Sequence, residues 1–223
     1  MIVYSILLVV AGYLFGSIPT SYLAGRWVRG IDIRDYGSGT VSGSMAWEHV
    51  AHWSIVPVGL FDIVKAALPA WLGIELGGGE VAGTVAGLAA VAGHNWSIYL
   101  HFKGGRGLSP FLGVLLVVFP AGVPWMLAFL TLGFVLGDSA PWALASLIAM
   151  PLLVWVLNGS TILYGAIVVM MLVTLLKRLE ANGRPLPTPG GERRRMVVRR
   201  LLFDRDIGSH LDWIRQEPGH RQQ

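Results

Sequence analysis

Residues 107–176 hold a single charged side chain, Asp138, in seventy positions. A helix on a water-soluble core needs a polar outer face, and one carboxylate cannot supply it to several helices. Residues 1–25 contain no Asp, Glu, Lys or Arg at all. These stretches exclude a soluble globular enzyme. With hydrophobic residues at 54% and charged ones at 13%, a disordered chain is excluded as well. The apolar runs are continuous rather than alternating, which argues against a membrane β-barrel. The sequence predicts an all-α, polytopic integral membrane protein.

Seven apolar segments stand out, at about 2–23, 51–75, 81–101, 107–119, 122–137, 140–157 and 160–177, or six spans if two of them fuse. The breaks in the later part fall at Pro120 to Pro124, Asp138 to Pro141, and Asn158 to Ser160, all of which carry turn chemistry. The first segment lacks a positively charged start and is too long for a signal peptide, so it reads as a retained span. Basic residues decide orientation. Arg26, Arg29 and Arg34 follow the first span, and Lys103 and Arg106 follow the third. Eleven of the seventeen basic residues lie from Lys177 onward. Seven spans put all three groups on one side, so the N-terminus is expected outside and the C-terminus in the cytoplasm. Residues 1–177 then form a membrane domain and 178–223 a basic cytoplasmic tail. Arg184 to Gly191 has linker composition, and 192–203 mixes arginines with apolar residues. That tail reads as a positive-inside extension or as a helix lying on anionic lipid.

The chain has no Cys, which excludes disulfides, thiol nucleophiles and thiolate metal ligands. Its six His are scattered without ligand spacing, so no metal and no cofactor are expected. Three polar clusters remain on the expected cytoplasmic side. Gly37-Ser-Gly-Thr-Val-Ser-Gly-Ser44 is a loop of small residues whose N–H groups and hydroxyls suit an anion; it serves equally as a plain connection. Asp62-Ile-Val-Lys65 places two ionisable groups at i and i+3 inside a span. They form either a self-neutralising pair or a reach toward an anionic substrate. Gly93-His-Asn-Trp-Ser-Ile-Tyr-Leu-His-Phe-Lys-Gly-Gly-Arg-Gly107 ends in a glycine turn with two cations at the start of a span. Arginine binds phosphate bidentately, and a helix N-terminus favours an anion. Taken alone, the same turn satisfies the positive-inside rule and nothing more.

Together these blocks resemble a known family. Gly16-Ser-Ile-Pro-Thr-Ser-Tyr-Leu-Ala-Gly25, Gly30-Ile-Asp-Ile-Arg34 and Tyr36-Gly-Ser-Gly39 resemble the first motif of the bacterial acyl-phosphate:glycerol-3-phosphate acyltransferases, the PlsY type. Asp62 to Lys65 with Pro69 resembles that family's second-span segment, and Gly93 to Gly107 its phosphate-binding glycine loop. The resemblance covers about residues 1–180. It implies acyl transfer from acyl-phosphate to glycerol 3-phosphate, giving lysophosphatidate for phospholipid synthesis at the cytoplasmic face of a bacterial-type plasma membrane. Membrane lipids would be the surroundings, and no nucleic-acid partner is expected. By the same resemblance Ser38 and His94 are the expected catalytic residues. Gly37, Gly39, Lys65, Lys103, Gly104, Gly105, Arg106 and Gly107 are expected to bind substrate phosphate, with Asp62 in support.

The chain departs from the pattern at identifiable positions. Thr40 and Met45 stand where the family has Asn, Glu48 where it has Arg, and Ala66 where Gly is usual. Leu172 and Leu175 stand where the last motif has His and Asn, with Asn182 and Arg184 as polar residues nearby. A carboxylate in place of a phosphate-binding cation reverses the sign of that interaction. The alternatives are a relative with another acceptor, or a non-catalytic membrane protein that binds lipid or phosphate.

Overall fold

The first apolar stretch splits in two. Pro19 removes a backbone donor and its ring blocks the preceding turn, so α1 (Ile2–Gly16) stops there and α2 (Thr20–Arg29) resumes. The sequence predicts one helix over 2–23; the chain instead breaks at 17–19. Inside an apolar bundle the carbonyls freed by such a break need partners. Ser97 Oγ donates to Ser17 O at 2.6 Å, and Lys65 Nζ donates to Ile18 O at 2.9 Å.

The computed structural model describes residues 2–218, and every regular element among them is helical. After a short α3 (Gly43–His49) come α4 (Ile55–Gly73), α5 (Gly79–Asn95), α6 (Leu108–Val118), α7 (Gly122–Val135), α8 (Ser139–Val156) and α9 (Thr161–Glu180). The tail forms α10 (Gly191–Phe203) and α11 (His210–Ile214). Among the described residues, four stretches are long and apolar enough to cross a bilayer: Ile6–Arg29, His52–Leu76, Ser139–Val156 and Thr161–Gly183. Leu108–Val118 and Gly122–Val135 are apolar but shorter. The third expected segment, 81–101, is helical only as far as Asn95 and then turns.

Burial from water does not drive helices together in lipid, so close packing of small residues carries more of the load. α5 shows this on two faces. A Cβ on Gly16 of α1 would lie 2.1 Å from Ala90 O, and one on Gly83 would lie 2.6 Å from Ala70 O of α4. α6 meets α4 as closely, with Gly113 against Ile63 O. Phe111, Val114, Met126, Leu147, Met150 and Met170 fill the space between α6, α7, α8 and α9.

One end of the bundle is polar. Asp138 caps α8 by accepting from Ala140 N, and it also pairs with Arg205 of the tail. Arg178, buried at the end of α9, donates to Ala140 O at 2.6 Å and to Leu201 O of α10 at 2.6 Å. Arg200 is 2% exposed. It binds Asp206 and donates to the carbonyls of Leu179, Arg184 and Pro185. The segment that composition sets apart is therefore fastened across the helix ends. Residues 219–223 of the expected tail lie outside the described residues.

Gly16→Ala should lower thermal stability in detergent by about 1–3 kcal/mol through overpacking. Gly165→Ala, on the same fold but with nothing within 4 Å of its added Cβ, should stabilise by roughly 0.5–1 kcal/mol. Equal melting shifts for the two would show that the α1–α5 approach carries no such load.

Candidate active site

Asp62 and Lys65 lie one turn apart on α4 and are both almost fully buried. They pair at 2.8 Å. Thr20 Oγ1 donates to Asp62 Oδ1 at 2.9 Å, and the break at 17–19 supplies the carbonyl for Lys65. Each charge therefore has several partners, which is what burial demands. His94, at the end of α5, puts Nδ1 3.7 Å from Asp62 Oδ1.

The glycine loop lies directly on this cluster. A Cβ on Gly105 would sit 2.1 Å from His94 Nε2, and one on Gly104 would sit 2.2 Å from His94 O. Gly105 N donates to His94 O at 3.0 Å. These glycines are needed for close approach between loop and ring. On its outer side Gly104 O accepts from Val41 N of the Ser38 loop at 3.1 Å.

Asn182 fastens the two loops together. Its Nδ2 donates to Gly39 O and Gly104 O, each at 3.1 Å, and its Oδ1 accepts from Gly104 N at 3.3 Å. It is held just past α9 at φ +55°, a left-handed conformation that asparagine tolerates.

Above this platform lies a cavity of about 710 Å³. Arg34, Asp35, Ser38 and Gly39 line it from the first loop, and Lys103 from the second. Asn182 to Pro185 line it from the end of α9, and Met196, Asp206, Ile207, Trp213 and Gln216 from the tail. Asp32 fixes Arg34 through two hydrogen bonds at 2.9 and 2.6 Å. Those bonds hold the Asp32 carboxyl below its usual range. Arg184 donates to Gly37 O at 2.8 Å and stacks over Trp213 at 4.2 Å. Lys103 Nζ has no hydrogen bond or ion pair among the described residues.

The expected site residues therefore fall into separate groups. Ser38, Gly39 and Lys103 reach the cavity. Asp62, Lys65 and His94 form the buried cluster behind the glycine loop and do not line it. Arg106 turns away from it, pairing with Asp204 of the tail at 2.8 Å and donating to Lys177 O at 2.6 Å. Burial pushes the Asp204 carboxyl above its usual range, while Arg106 and Arg178 pull it down. The small-residue loop does not present a row of open donors. Gly37 N is taken by Gln216 O, Gly39 N by Tyr36 O and Thr40 N by Ser38 Oγ. Its hydroxyls form a chain instead, with Ser38 Oγ 2.7 Å from Thr40 Oγ1 and Thr40 Oγ1 3.2 Å from Ser42 Oγ.

A family model described as glycerol-3-phosphate acyltransferase matches residues 6–184. The chain is 36% identical to glycerol-3-phosphate acyltransferase 4 of Dehalococcoides mccartyi (strain CBDB1), over 97% of this chain and 96% of the relative. The chain belongs to the glycerol-3-phosphate acyltransferase family. A glycerol-3-phosphate acyltransferase of Synechococcus sp. (strain CC9902) is 35% identical, over 83% of this chain and 96% of its own. The fold is that of PlsY (YgiH), an integral membrane glycerol 3-phosphate acyltransferase whose crystal structures include lysophosphatidic acid and glycerol 3-phosphate forms. The TM-score is 0.70 at 24% identity, with 81% of this chain and 91% of that chain covered.

Against this family, the departures have visible consequences. Glu48 on α3 pairs with Arg215 of the tail at 2.9 Å and does not line the cavity. Met45 is buried core beneath Gly37. Leu172 is half exposed on the outer side of α9, while Asn182 and Arg184 arrive at the site past the helix end. Trp213, Gln216 and Asp206 have no local signal in the sequence that could have marked them.

Asn182→Asp keeps size and left-handed tolerance but sets an oxygen against two carbonyls. Thermal melting in detergent should show a loss of about 1–3 kcal/mol. A melt identical to the parent would remove Asn182 as the fastening between the loops.

Proposed function

We propose that this protein transfers a fatty acyl group from acyl-phosphate to the 1-hydroxyl of glycerol 3-phosphate, forming lysophosphatidate and inorganic phosphate. The observation that carries the reading is the cavity where Arg34, Lys103 and Arg184 converge beside Ser38 at the polar end of a membrane bundle. Both substrates carry phosphate, and the three cations outnumber the two carboxylates, Asp35 and Asp206, that share the recess.

Acyl-phosphate is a mixed anhydride, so it needs no enzyme nucleophile. The acceptor hydroxyl oxygen attacks the carbonyl carbon and forms the ester bond. The carbonyl carbon–oxygen bond to phosphate breaks, and the departing phosphate takes up the hydroxyl proton. Held cations stabilise the charge that develops on that phosphate, and positioning the two substrates supplies much of the remainder. Lys103 is the cation for the acceptor phosphate, with Arg34 and Arg184 already held in place. Ser38 Oγ, within its hydroxyl chain, contacts substrate oxygen. His94, Asp62 and Lys65 act as positioning residues through Gly104 and Gly105, and Arg106 fixes the loop to the tail. Glu48 carries little weight for a non-catalytic reading, because Arg215 neutralises it away from the cavity.

The membrane arrangement follows from charge. α5, α6 and α7 complete seven crossings, with the N-terminus outside and the cavity facing the cytoplasm of a bacterial-type inner membrane. α6 has 11 residues, and at 1.5 Å per residue it covers only about half of the ~30 Å hydrocarbon core. The acyl chain enters from the lipid between helices.

The assay supplies palmitoyl-phosphate and glycerol 3-phosphate to purified protein and measures lysophosphatidate. Lys103→Ala should raise KM for glycerol 3-phosphate about 10- to 150-fold, as for loss of one charge-assisted bond, with a smaller change in kcat. No product from the parent protein would reject the reaction. Product with an unchanged KM in the variant would remove Lys103 from acceptor binding.

A further inference from the structure

Helix α10 has two dissimilar faces. Arg200 and Met196 point inward, the first to Asp206 and the second to the cavity. On the opposite face Arg194, Arg195 and Arg199 alternate with Val198 and Leu202 at helical spacing. All five are exposed, Val198 at 46% and Leu202 at 45%. None of the three guanidinium groups has a hydrogen bond or ion pair among the described residues. The contrast with Arg178, Arg200 and Arg205 in the same region is plain, since each of those has defined partners.

We propose that this outer face docks on anionic phospholipid headgroups. Three observations select that occupant. The face carries three positive charges, with Glu192 at its edge the one acidic side chain of α10, and that excess fits a phosphate-bearing surface. It interleaves arginines with two apolar side chains, the composition of a helix lying in the interfacial plane. And α10 is packed against the ends of α8 and α9, two helices long and apolar enough to cross the membrane, which sets it at membrane-surface height. A soluble acidic partner would explain the charge but not Val198 and Leu202. Each arginine near an anionic surface favours the docked position about fivefold, so three together give on the order of a hundredfold.

The absence of cysteine gives a direct test. Val198→Cys, labelled with an environment-sensitive fluorophore in the full-length protein, is reconstituted in vesicles. One set is phosphatidylcholine alone, and the other is phosphatidylcholine and phosphatidylglycerol in equal amounts. The expected result is a blue-shifted emission, quenched by a lipid-borne quencher, in the anionic vesicles. High salt should reverse it, and so should Arg194→Gln, Arg195→Gln and Arg199→Gln combined. Inorganic phosphate added to the uncharged vesicles should not reproduce it. Emission that is equal in the two vesicle types, or unchanged by the triple substitution, overturns the proposal. The triple variant leaves Arg200 and the inward face intact, and its melting temperature serves as the folding control. The readout uses no substrate, so its failure is distinct from failure of the acyl-transfer reading.

Discussion

The backbone-to-backbone approach of α5 to α1 and α4 is the constraint on which the rest depends. Gly16, Gly83 and Gly113 leave no room for a side chain between neighbouring helices. That contact sets the height of His94 relative to Asp62, and His94 in turn sets the glycine loop. A shift along any of these helices would move the loop and the first loop hydrogen-bonded to it. The site is thus held by rigid elements that meet, at these glycines, with no adjustable side chain between them.

The buried Asp62–Lys65 pair is an expensive feature in lipid, and its partners show how it is tolerated. Thr20 and Ile18 O both come from the interruption at Pro19. A kink in one helix and a charge pair in another are therefore a single arrangement. Neither is satisfied without the other, which is why irregular backbone and ionisable residues coincide in this part of the bundle.

Much of the helical order was legible in the sequence, because in lipid an apolar run of sufficient length has few alternatives. The Ser38 loop, the Asp62–Lys65 pair and the glycine loop were legible as polar interruptions of such runs. What escaped is what depends on distance along the chain. Arg106 reads as a ligand of phosphate until Asp204, almost a hundred positions later, is seen beside it. Glu48 reads as a reversed charge in the site until Arg215 is seen to pair with it. Asn182 and Arg184 enter past the end of α9 rather than from the helix, so counting along the last motif reaches Leu172 and Leu175 instead. The outer wall of the cavity comes from residues beyond 184, where the family match ends.

That wall joins opposite ends of the chain: Gly37 N to Gln216 O, His49 Nε2 to Ile214 O, Glu48 to Arg215. During synthesis the helices enter the membrane in order, and the two loops are complete once residue 107 has emerged. The recess stays unroofed until residue 216 leaves the ribosome. A nascent chain therefore holds its membrane position before it holds a finished cavity.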